Sequence, residues 1–208
     1  MKKLVIMAVA AVLSIATANA ITVNWSAQVS AFLTLQGGTT GDPSGSLIEL
    51  GILSGATEAQ MTANQNNISF LTSHFSVWQT DVVGNGTGID GSWSVSSGAP
   101  GAGFFNSQIY ILAFDAPTSG AADQVGLYSN TAGNWKYSAD DSGSTSIDLS
   151  DAGLYEVIGS FSGGTVTSPG DLSGGDAVQL HALPVPEPSS LMLVGIGMLG
   201  MLRLIRRK

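Results

Sequence analysis

The chain has 208 residues, 27 of them glycine and none cysteine, with 15 acidic against 7 basic side chains. That length suits one ordinary domain or two small ones, and the lack of cysteine excludes a disulfide framework, a thiolate nucleophile and a Cys-ligated zinc or iron–sulfur centre. Lys2, Lys3, Arg203, Arg206, Arg207 and Lys208 crowd the two ends, leaving Lys136 alone against 14 carboxylates over residues 21–186; such a stretch repels phosphate, which excludes nucleic acid as a partner and disfavours docking on anionic lipid.

At the N-terminus, Lys2 and Lys3 precede an apolar run over residues 4–13 that extends past Ser14 to Ile15 and Ala16, followed by Ala18-Asn19-Ala20. This is the layout of a secretory signal peptide. The run is too short for an ordinary membrane span, and small residues at 18 and 20 suit the pocket of signal peptidase, so cleavage is predicted between Ala20 and Ile21. Residues 1–20 are therefore set apart from the fold.

Residues 21–184 are read as one acidic, Gly/Ser-rich body. Short β-branched and aromatic runs alternate there with breakers, giving candidate strands at 21–26 with 29–35, 47–53, 91–95, 108–114, 124–128, 134–137, 146–149, 155–161 and 177–183. Residues 108–114 form the most continuous apolar run, as in a strand buried on both faces. Residues 57–64 carry helix formers behind Thr57, which can cap them, and one short helix is predicted here, with 68–75 continuing as helical or irregular chain. Turn-forming clusters recur between the strands, and no longer repeat stands out. The expected fold is all-β: a single antiparallel β-sandwich, with the jelly roll as one form of it, carrying one short helix.

Several constellations within the body bear on chemistry. Gly86-Thr87-Gly88-Ile89-Asp90-Gly91 matches a dinucleotide fingerprint in letters, but it leads into a strand-like run rather than a helix, so it reads as a Gly-rich hairpin. Asp140 and Asp141, with Asp148 and Asp151 nearby, are the candidate calcium ligands, because calcium takes six to eight oxygens; the spacing fits no EF-hand, and the alternative is a solvated acidic turn. No other cofactor is expected. His74 and His181 are the only histidines, and no nucleophile elbow accompanies them. Trp135 and Tyr137 share one face of a predicted strand beside Asn130 and Asn134; they are the candidate exposed pair for stacking on a sugar, the alternative being a cross-strand core pair.

Beyond residue 184 the chain reads Val185-Pro186-Glu187-Pro188-Ser189-Ser190, then twelve residues, 191–202, drawn only from Leu, Met, Val, Ile and Gly. At ~1.5 Å per residue the run covers about 18 Å, and about 22 Å if extended to Ile205, against a hydrocarbon core of about 30 Å. It is predicted to be a short transmembrane helix over 191–205, with Arg203 snorkelling and Arg206, Arg207 and Lys208 held on the cytoplasmic side. The two prolines keep Glu187 outside that helix in extended chain.

Pro186-Glu187-Pro188, the apolar run and the basic end at 206–208, paired with an N-terminal signal peptide, resemble the PEP-CTERM sorting signal of Gram-negative bacteria, over about residues 185–208. The resemblance implies recognition by an exosortase, a membrane-embedded processing enzyme, with cleavage near the tripeptide and export to the cell surface or an exopolysaccharide matrix. That family shares an address rather than a fold, so it carries no catalytic residues onto this chain. The expectation is an exported, non-enzymatic surface or matrix protein, transiently anchored through its C-terminal helix; the alternative is a carbohydrate-binding module or weak glycan-active enzyme on the same scaffold.

Overall fold

A strand made only of apolar side chains needs cover on both faces, and all five residues of Tyr110–Phe114 are buried. The computed structural model describes residues 23–27, 31–36, 44–84, 91–98, 100–137, 145–162 and 176–184. In chain order its elements are Val23–Ala27 (β1), Ala31–Thr34 (β2), Leu47–Leu53 (β3), Glu58–Ala63 (α1), Ile68–Ser73 (α2), Phe75–Val82 (β4), Trp93–Ser97 (β5), Tyr110–Phe114 (β6), Gln124–Asn130 (β7), Thr145–Asp148 (β8), Leu154–Ile158 (β9), Ser160–Ser162 (β10), Asp176–Gln179 (β11) and His181–Ala182 (β12), with three single-turn 3-10 segments between strands.

The described protein is mostly β-sheet with two short helices, as an all-β body requires. The largest sheet is antiparallel in the order β12-β7-β6-β3-β4, and β9 shares the outer edge of β7 with β12. Alternation along β6 sends Ile111 and Ala113 to one face and Tyr110, Leu112 and Phe114 to the other. On the first face Ile48, Leu50, Ile111 and Tyr128 pack against Trp25, Trp93 and Ile147 of one small sheet (β5-β1-β8) and Leu33 and Val178 of another (β10-β11-β2). On the second face Leu112, Phe114, Val125 and Leu127 pack against Met61 of α1 and Leu71 of α2.

Four sequence expectations need correction. The pairing is not wholly antiparallel: β1 with β8 and β11 with β2 run parallel, each joining segments far apart in the chain. Two short helices stand where one was expected. Thr57 and Gln60 form a capping box, with Gln60 N–H donating to Thr57 Oγ1 at 3.3 Å and Thr57 N–H to Gln60 Oε1 at 2.9 Å; Asn67 then caps α2 by accepting from Phe70 N–H at 3.0 Å. Strand β4 was not anticipated, because a bulge opposite Leu50/Gly51 inserts Trp78 as an extra residue and breaks the period-two pattern. Residues 134–137 are not a strand: Trp135 and Lys136 N–H donate to Ala132 and Gly133 carbonyls, closing the 3-10 turn Gly133–Trp135, and only a single bridge joins Lys136 to Gln108.

No helix among the described residues is long and apolar enough to cross a membrane. The predicted transmembrane run, 191–205, lies outside the described residues, as does the predicted signal peptide, 1–20.

Candidate functional site at the C-terminal exit

The last described segment stitches the sheets together before the chain leaves the body. Strand β11 sits in the middle of its small sheet, between β10 and β2. Leu180 then donates its N–H to Thr34 O at 2.9 Å, and β12 crosses to the edge of β7, with His181 opposite Val125 and Ala182 opposite Gln124. Successive backbone groups of a strand point to opposite edges, and both edges are used here. Ala182 N–H donates to Gln36 Oε1 on one edge, and Leu183 N–H donates to Asp123 O at 2.8 Å on the other. The His181 ring meets Asn66 Oδ1 at 3.0 Å, and half-buried Leu183 packs on the helix-side core. Pro184 is exposed.

Away from this exit, several described titratable side chains bond within the fold. Glu58 Oε1 accepts from Tyr110 OH at 2.7 Å and Tyr155 OH at 2.6 Å, fastening α1 to β6 and β9. Burial first, and Glu58 second, lift both phenols above the ordinary tyrosine value. Ser26 Oγ donates to Asp148 Oδ2, while Ser150 N–H and Oγ–H donate to Asp148 Oδ1 at 2.8 and 2.6 Å. Asp151 Oδ2 accepts from Trp135 Nε1 at 2.9 Å and from Asp148 N–H at 3.1 Å. His74 stacks on Phe70, and its Nδ1 lies 2.9 Å from Phe70 O. The Glu49 carboxyl is half-buried on β3, and burial pushes its pKa up.

The candidate sugar-stacking pair is not a surface platform. Trp135 and Tyr137 are both buried in the core between the sheets, Trp135 by way of its bond to Asp151 and Tyr137 stacked on Phe105 at 5.1 Å between ring centroids. The core alternative, rather than the exposed one, is the arrangement found. Asp140 and Asp141 lie outside the described residues, and among those described no group of three acidic or histidine side chains is placed to hold a metal. Ala18, Ala20, Ile21, Pro186, Glu187, Pro188, Arg203, Arg206, Arg207 and Lys208 also lie outside them.

The exit matters because of what begins there. A family model described as the PEP-CTERM protein-sorting motif matches residues 184–208. The chain carries a PEP-CTERM sorting motif. Neither a curated protein nor a solved structure matches the chain. The PEP-CTERM motif implies export, sorting to the cell surface and processing by an exosortase-type enzyme. Its match starts at Pro184, one residue after the Leu183–Asp123 bond, so body and PEP-CTERM motif are contiguous. The tripeptide was visible in the sequence; the bond of Leu183 to Asp123, the residue before β7 and sixty positions upstream, left no sequence signal.

Proposed function

We propose that this is a non-enzymatic protein of the cell surface or extracellular matrix, structural or associated with exopolysaccharide. Signal peptidase cuts between Ala20 and Ile21. The apolar run 191–205 then halts the chain in the membrane with Arg203, Arg206, Arg207 and Lys208 at its cytoplasmic end, and an exosortase-type enzyme cuts near Pro186–Glu187–Pro188. What is delivered is an acidic β-sandwich, two small sheets over one large sheet. The observation that carries this reading is the sorting motif abutting the folded body. The carbohydrate-binding alternative loses its aromatic pair to the core.

Intact-mass analysis of the protein recovered from the cell surface and medium of its native host tests this. The expected product begins at Ile21 and ends near Pro186 to Pro188. A product that stays in membranes and keeps Arg206-Arg207-Lys208 would sink the sorting reading.

A further inference from the structure

The chain from Leu183 to Pro188 reads Leu-Pro-Val-Pro-Glu-Pro. Proline has no backbone N–H, and a residue before proline is driven toward extended conformations. Drawn out as a strand, this run therefore has donors only at Leu183, Val185 and Glu187, which all point to one edge; the other edge, at 184, 186 and 188, has none. An enzyme that binds this run in extended form by strand addition must use the donor edge. At Leu183 that edge is already engaged in the folded body, because its N–H donates to Asp123 O directly after β12, which is paired with β7.

Reach leads to the same conclusion. Only Pro184 and Val185 separate Leu183 from the tripeptide, a span of about 10–11 Å at ~3.3–3.6 Å per residue. A body of this length has a radius of gyration of about 15 Å, so an enzyme holding the tripeptide works close against its surface. The element nearest the exit is also the weakest pairing in the large sheet, since β12 is two residues long and lies on an edge. Edge elements with few bonds open first.

We propose that the processing enzyme's substrate segment reaches upstream of the tripeptide to Leu183, and that β12 and Leu183 peel from β7 to present it. β11 stays in place, held between β10 and β2. This rests on the sorting reading, and the test separates the two.

The test uses the full-length chain in membranes of its native host, with tail removal followed over time by intact mass. Gln124→Cys with Ala182→Cys places two thiols at directly paired positions of β7 and β12, in a chain that has no cysteine of its own. The expected result is that the oxidised staple slows tail removal several-fold and reductant restores it. Inserting Gly-Ser-Gly-Ser between Pro184 and Val185 of the oxidised form is expected to restore the parental rate. Equal rates for oxidised and reduced forms, or no rescue by the insertion, overturn the proposal. Alanines at Pro186, Glu187 and Pro188 form the separate control: processing unchanged there would mean that the sorting reading itself fails.

Discussion

Tyr128 donates its phenolic hydrogen to Gln179 O at 2.8 Å, tying the centre of the large sheet to β11 in the small sheet across the core. Two glycines make room for it. A Cβ on Gly126 would collide with the Tyr128 ring, and one on Gly159, whose φ is +113°, would lie 2.5 Å from Gln179 O and 2.6 Å from the tyrosine oxygen.

Tyr128→Phe is therefore expected to leave packing unchanged and to strand the Gln179 carbonyl on that side, costing about 1–2 kcal/mol in a urea unfolding curve. Gly159→Ala adds backbone strain to the collision and should cost more than Tyr128→Phe. An alanine variant as stable as the parent would contradict this packing.

Glu49 gives a pH signature. Its folded pKa is raised by burial above the usual 4.5, so the folded state holds the proton more tightly than the unfolded chain. The protonated carboxyl is harmless below pH 4.5, and stability falls as pH rises through the folded value. Glu49→Gln should melt higher than the parent at neutral pH, with the gain fading on acidification. A gain that is independent of pH would show that the carboxyl is not the cause.

The Glu58 clamp acts at the other end of the scale. Tyr110 and Tyr155 are raised above 10.0, so their contribution to stability is present below that value and lost as pH rises toward the folded pKa values. In Glu58→Ala both phenols should ionise at lower pH in an ultraviolet titration, and the amides of α1 should exchange faster. Unchanged phenol titration would show that Glu58 has no hold on them.

Trp135→Ala removes a fully buried side chain and should cost about 3–5 kcal/mol. The substitution is expected to register in unfolding measurements; loss of glycan-array signal at full stability would instead restore the surface-platform reading.

The sequence was legible where local pattern and tertiary demand agreed. β3 matches its expected bounds, β6 and β7 fall on their predicted runs, and the Thr57 cap is visible in a four-residue spacing. The C-terminal address was readable because it is a linear signal that an enzyme meets as chain. Legibility failed where partners are remote. The bulge that inserts Trp78 is defined by Leu50 and Gly51 on another strand, and Trp135 turns inward to meet Asp151. The parallel pairs, and the Leu183 bond to Asp123, depend on closure of the whole body.

The parallel register of β11 with β2 sets Asp176 opposite Ala31 and Gln179 opposite Thr34, about as large a sequence separation as the body allows. Closure of so long a loop is slow and entropically costly. A chain threaded across a membrane from its N-terminus exposes residue 31 early and residue 176 almost last, so the small sheet waits for the final stretch of the body to emerge. Completion of that small sheet and arrival of the sorting motif thus fall close together along the chain.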